Sequence, residues 1–171
     1  DHEYDAYSEI SLARSIDIKV DNLSFNYNNN NKVIDNVTLH VLAGEKVCLM
    51  GAEGSGKSTL LMILAGIYHD FSGNILFNDV PVKMISRTEL YRKVAVFMAD
   101  DELFSGTLQE NLTIGNKSIT LKELNQICAI VGLDDYVRSQ QDGYHSFLDP
   151  QGRKLSYNIV QKILLARCLV I

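Results

Sequence analysis

The nine residues Gly51-Ala-Glu-Gly-Ser-Gly-Lys-Ser-Thr59 have the types and the spacing to hold a chain of phosphates. They fit the pattern G-x-x-x-x-G-K-[ST], with Gly51, Gly56, Lys57 and Ser58 at its fixed positions. Gly51, Gly54 and Gly56 let main-chain N–H groups turn inward around an anion, with Ser55 between them. A helix starting at the end of the loop would add its partial positive charge. Lys57 would neutralise the outer phosphates, and the Ser58 hydroxyl would coordinate Mg2+. The rival reading is a glycine turn entering a helix with a surface lysine. Three glycines plus Lys-Ser-Thr, set between strand and helix, argue against it.

The elements that must position this loop are legible on either side. Val47-Cys-Leu-Met50 reads as a buried strand, and Leu60-Leu-Met-Ile-Leu-Ala-Gly66 as a helix. Upstream, Ile16, Ile18 and Val20 alternate with Asp17 and Lys19, which predicts a half-exposed strand. Asn28 to Asn31 reads as a polar turn before a second strand, Val33 to Leu42. Downstream, Asn74 to Phe77 reads as a short strand, Asn78-Asp79 as a turn and Ser86 as the cap of a helix through Lys93. Val94 to Met98 reads as a second buried strand. Thr120-Leu-Lys-Glu123 is a capping box, opening a helix to about Val131 that Gly132 stops. Asp142-Gly143 is a turn, and Ser156 opens a final helix. Antiparallel strands followed by alternating strands and helices predict an α/β fold: a mostly parallel sheet flanked by helices, with an N-terminal antiparallel β subdomain. Nucleotides bind such sheets at the carboxyl ends of the strands.

Length and composition bound the rest. A chain of 171 residues with 46% hydrophobic content can bury a core. A net charge of −5 disfavours a nucleic-acid surface, and no nucleic-acid partner is expected. Cys48, Cys128 and Cys168 lie far apart and form no CxxC pair, so reduced thiols are the simpler reading than a metal or disulfide framework. No apolar run reaches the roughly 18 to 20 residues of a membrane span. Residues 1–15 read as a polar lead-in and 16–171 as one domain. Asp1 is not a methionine and the chain stops within the apolar run Ile163 to Ile171. Both ends are therefore expected to be interior points of a longer polypeptide.

The order of motifs resembles the ATP-binding domain of ABC transporters, of the exporter kind. Leu23-Ser-Phe-Asn-Tyr27 is similar to the family's adenine-binding segment, at the usual distance from Gly44-Glu45 and the glycine loop. Asp101 to Leu112, with Leu103-Phe-Ser-Gly-Thr107 and Glu110-Asn111, resembles the exporters' LFSGT-x-x-EN segment. Leu155-Ser156, followed by Leu165-Ala-Arg167, sits where the family carries LSGGQ and its next helix. The resemblance implies a P-loop NTPase fold with a helical subdomain, and a role for each matching residue. Tyr27 would stack on adenine; a core tyrosine at a strand end is the competing reading. Gly54, Ser55, Gly56, Lys57, Ser58 and Thr59 would wrap the triphosphate. Ser156 would reach, in trans, the γ-phosphate held by a partner domain. Phe104 to Asn111 would face a membrane domain; a surface loop capping a short helix is the alternative.

Four departures bear on catalysis. Ala99 falls where the family has a glutamine that reaches magnesium and the attacking water. Asp100 beside it offers a carboxylate for indirect magnesium contact, or a solvated loop charge. Tyr157, Asn158 and Ile159 replace the glycines and polar residue of LSGGQ, so their side chains occupy space a phosphate needs. Glu53 brings a carboxylate into the loop, which repels a triphosphate unless it points to solvent. The chain stops before the family's Asp-Glu strand and switch histidine, which His2, His40, His69 and His145 do not replace. In the family that strand lies near the sheet centre. If the polypeptide ended at Ile171, the final helix is expected to be poorly ordered or packed on another chain.

The leading expectation is therefore an ATPase domain with ATP and Mg2+ as cofactors. It would work on the cytoplasmic face of the cell (inner) membrane, paired with a second ATP-binding domain and coupled to a transmembrane domain. Turnover would be slow. The first alternative is a catalytically degenerate ATP-binding switch. A small P-loop kinase is the second, disfavoured by the segments at Leu103 to Asn111 and Leu155 to Arg167.

Overall fold

The computed structural model describes residues 15–27, 32–98 and 101–170. Two compact units divide after Val96.

The first unit is built on an antiparallel sheet in the order β2-β1-β3-β4. Its strands are β1 (Ile18–Asn26), β2 (Lys32–Val41), β3 (Ser72–Phe77) and β4 (Val80–Pro81). Ile16 and Ile18 pack against the core on the side the alternation predicts, and Val20, Leu23 and Phe25 are buried in it. Their spacing is not strictly two because the register jumps between Val20 and Leu23. Asn22 absorbs the jump at φ 50°, a left-handed conformation that asparagine tolerates better than most residues. Asn78 and Asp79, at φ 50° and 67°, close a two-residue hairpin from β3 to β4. The sheet packs on helix α1 (Lys57–Leu64) through Leu60 and Ile63, and Leu90 of helix α2 (Arg87–Lys93) joins the same core. Ser86 caps α2 as expected, its Oγ accepting from Glu89 N at 3.2 Å.

The second unit is mainly helical. A two-stranded ribbon pairs β5 (Gly106–Thr107) with β6 (Phe147–Leu148). Around it lie α3 (Leu108–Thr113), α4 (Leu121–Val131), α5 (Asp134–Ser139) and α6 (Tyr157–Leu169). The Thr120–Glu123 capping box forms, and Gly132 ends α4 at φ 67°. A second box, Thr107 with Glu110, opens α3. Leu108, Leu112, Leu124, Cys128, Leu133, Ile163 and Leu164 make one core. Helix α6 packs on α3 and α4 of its own chain, burying Ile163, Leu164 and Ala166.

Two expected strands are corrected. Residues 47–50 and 94–98 do not pair with any described strand, and every described ladder is antiparallel. Val47 and Met50 are exposed, at 54% and 88%, and Phe97 at 40%. The apolar composition was read correctly but pairing was not. A buried parallel strand needs a neighbour to satisfy its N–H and C=O groups, and no described strand flanks either segment. Leu49 and Val94 still pack against the first unit's core. The helix after the loop begins at Lys57, earlier than the apolar pattern suggested, so Lys57, Ser58 and Thr59 form its first turn. Ala99, Asp100, the Asn28 to Asn31 turn and His2 lie outside the described residues.

Candidate functional site

The first turn of α1 carries four N–H groups that no helix can satisfy internally. Elsewhere this sequence closes helix starts with a hydroxyl: Ser86, Thr107, Thr120 and Ser156 each accept from the third residue of their helix. Helix α5 has no such cap but places Asp134 and Asp135 in its first turn. Helix α1 has neither. Its N-cap is Gly56, without a side-chain hydrogen bond, and no acidic residue follows in the first turn. Among the described α-helices α1 alone leaves its positive end uncompensated, which is the arrangement that takes up an anion.

Glycine is required at that cap by geometry. Gly56 sits at φ 86°, and a Cβ there would lie 2.8 Å from the Val33 carbonyl oxygen and 2.9 Å from Ile34 Cδ1. The loop is thus pressed against β2, and only a bare Cα fits. Gly54, at φ 75°, has open space around it and is needed for conformation alone.

Lys57 closes over the loop it follows. Its Nζ donates to the main-chain oxygens of Gly51 at 2.9 Å and Ala52 at 2.7 Å, and to Ser55 Oγ at 3.2 Å. The ammonium is therefore held at the loop's mouth by three neutral oxygens, which a phosphate oxygen can replace with a charged partner. Ser58 is exposed in the same turn. Its hydroxyl is an oxygen donor that fits a phosphate-bound Mg2+, which would supply charge neutralisation across the phosphate oxygens. Glu53 is exposed as well, so its carboxylate faces solvent.

Tyr27 follows β1, and its ring is half-exposed at 51%. The Tyr27 and Thr59 hydroxyls share a hydrogen bond of 2.8 Å, which ties the end of β1 to the first turn of α1. Two further rings brace Tyr27: Phe25 at 5.1 Å and Tyr68 at 5.4 Å between centroids, both edge-on. The Tyr27 hydroxyl beside Tyr68 raises the Tyr68 phenol above its ordinary value, with burial adding to the effect. Gly51, Gly54, Ser55, Gly56, Lys57, Ser58, Thr59 and Tyr27 are thus brought together in the first unit. Sequence reasoning missed Tyr68, an aromatic just past a helix end that no spacing rule marks.

Ser156 belongs to the second unit, where it caps α6 with its Oγ accepting from Ile159 N at 3.4 Å. Tyr157 and Asn158 follow on the exposed first turn, Tyr157 at 75%. The Leu103 to Asn111 segment is no loose loop. Asn111 is fully buried, and its side-chain amide bonds both the N–H and the carbonyl of Phe104. Arg167 reaches the same segment from α6 and lies 5.3 Å from the Phe104 ring. No helix among the described residues is long and apolar enough to cross a membrane.

Comparison with known proteins agrees with this geometry. The family model described as ABC transporter matches residues 34–171. A putative export ATP-binding/permease protein of Rickettsia felis is 29% identical over 98% of this chain and 29% of its own length. ABC transporter ATM1 of Plasmodium falciparum is 35% identical over 89% of this chain and 14% of its own. ABC transporter B family member 29, chloroplastic, of Arabidopsis thaliana is 32% identical over 90% and 25% respectively. A solved bacterial Atm1-family ABC exporter with ATP bound superposes with a TM-score of 0.90 at 24% identity. That match covers 99% of this chain and 29% of the exporter's, and it shows the fold to be that of a P-loop ABC ATPase. The chain spans less than a third of the length of each of these relatives. Anion-ready loop, fold and family match converge: the chain belongs to the ABC transporter family.

Proposed function

We propose that this domain, residues 16–171 after a lead-in at 1–15, binds MgATP and hydrolyses it to drive an exporter's membrane domain. The uncapped, acid-free start of α1 under the Lys57 ammonium carries this reading. The loop N–H groups from Gly51 to Thr59 would enclose the phosphates, and Lys57 would exchange its carbonyl partners for phosphate oxygens. Ser58 would hold Mg2+, with Asp100 as an indirect contact. Tyr27 would stack on the adenine. Hydrolysis would be in-line attack of water on the γ-phosphate, a reaction that needs positioning and charge neutralisation above all. Ser156 would reach across to the nucleotide of a second ATP-binding domain, and the segment around Phe104 would face the membrane domain. The site of action is the cytoplasmic face of the membrane.

ATP binding and turnover, measured beside Lys57→Ala, test this. Turnover that disappears in the variant supports a working motor. Binding that disappears in the variant, with no turnover in either protein, moves the reading to a switch that binds ATP without hydrolysing it. Tyr157 favours that second reading. It stands exposed where the family places a glycine that lets the backbone approach phosphate. Absence of ATP binding in the unmodified protein would overturn both.

A further inference from the structure

We infer that Glu53 is a specificity-determining residue of the glycine loop: its charge biases the site toward the magnesium complex of the nucleotide and against the free triphosphate. The inference rests on the nucleotide-site reading above. Across residues 51–66 the only charged side chains are Glu53 and Lys57, so the loop and the helix that follows it are neutral overall. The phosphate-binding pattern asks for the lysine alone. Among the described residues no ion pair engages Glu53.

The turn that carries Glu53 also anchors the lysine. Glu53 and Gly54 are its central residues, Gly54 at φ 75°, and Ser55 N closes it on the Ala52 oxygen at 3.3 Å. The Lys57 ammonium donates to that same oxygen at 2.7 Å. One peptide unit therefore separates the ammonium's contact from the acid's Cα, and bond lengths keep the carboxylate within about 10 Å of Lys57 Nζ. Glu53 is exposed, so it acts on a bound ligand through its field and not by contact. That field subtracts from the positive potential that Lys57 and the start of α1 supply. The repulsion grows with the charge of the ligand, about four negative charges on free ATP near neutral pH and about two on MgATP. The magnesium complex is therefore penalised less.

The test measures equilibrium binding of ATP with a chelator and of ATP with saturating Mg2+, at low and at physiological ionic strength. Glu53→Gln keeps the shape and removes the charge. For a charge about 8 Å away in water at an ionic strength of about 0.01 M, it is expected to tighten free ATP by about tenfold and MgATP by about threefold. Near physiological salt, where the Debye length is about 8 Å, both gains should shrink, to about fourfold and twofold. Glu53→Asp retains the charge and should bind both forms within about twofold of the unmodified protein. Equal gains for the two forms, unchanged by salt, would overturn the inference by making the side chain's shape responsible. A gain in Glu53→Asp as large as that in Glu53→Gln would do the same. Weaker MgATP binding in Glu53→Gln would also overturn it, because the carboxylate would then be helping to hold the cation. Failure of the underlying reading looks different: neither form would bind the unmodified protein, or Lys57→Ala would leave both unchanged.

Discussion

Arg167 Nη2 donates to Asn111 Oδ1 at 2.8 Å, and Arg167 Nε donates to the Asn111 main-chain oxygen at 2.6 Å. The guanidinium also reaches the Glu102 main-chain oxygen at 3.0 Å through Nη1. Asn111 in turn donates to the Phe104 oxygen at 2.9 Å and the Thr107 oxygen at 3.1 Å, and accepts from Phe104 N at 3.1 Å. A buried amide and a half-buried guanidinium thus satisfy each other and fix the shape of the segment from Glu102 to Thr107. Burial lowers the Arg167 pKa, and the Asp101 carboxylate opposes that shift.

Removing the hub should be costly. Asn111→Ala leaves the Phe104 N–H, the Phe104 and Thr107 carbonyls and one Arg167 N–H without their partner. The expected loss is about 3 kcal/mol, more than a single exposed hydrogen bond and in the range of broken buried networks. Urea unfolding followed by a probe in the second unit should show a lower midpoint with an unchanged slope. A midpoint shift equal to that of an exposed alanine substitution would mean that water replaces the amide freely. Arg167→Lys should recover little, because a point charge cannot reproduce the fork that grips both oxygens of Asn111.

Much of this was legible from residue types. The caps at Ser86, Thr120 and Ser156 and the stop at Gly132 are local chemistry, and the structure forms them where the sequence places them. The glycine loop was legible for the same reason. Tertiary pairing was not. Val47-Cys-Leu-Met50 has the composition of a strand, yet strand formation is a property of two segments, and composition reports on one. Asn111 and Arg167 were visible as motif letters, but 56 positions separate them, and nothing in either local pattern reveals their bond. The Tyr27 to Thr59 bond spans 32 positions and was hidden in the same way.

The two capping boxes make the second unit sensitive to acid. Glu110 lies below the ordinary glutamate pKa because it accepts from the Thr107 main chain and hydroxyl. Glu123 is lowered likewise by the Thr120 hydroxyl and main chain. A carboxylate depressed in the folded state contributes stability that is full above its unfolded pKa. That contribution is lost as pH falls through the folded value. Thermal unfolding of the second unit should therefore drop on acidification below the ordinary glutamate range, and Glu110→Gln with Glu123→Gln should flatten part of that dependence. An identical pH profile in the double variant would show that the boxes hold without charge.

Tyr157 offers a separable test of the trans contact proposed for Ser156. Its side chain is 75% exposed on the first turn of α6, so it contributes little to the core of its own unit. Tyr157→Gly with Asn158→Gly removes two side chains from the surface that a partner's phosphate would approach. Glycine in a first helical turn costs about 1 kcal/mol per residue relative to alanine, so a modest fall in stability is expected. ATP-dependent dimerisation should nevertheless tighten, because the backbone next to Ser156 gains access to the anion. Sedimentation with and without MgATP distinguishes the outcomes. Tighter association only when MgATP is present supports a nucleotide sandwiched between two domains. Tightening without nucleotide would instead mark Tyr157 as a bare steric obstacle to pairing, and no change would remove Ser156 from the trans site.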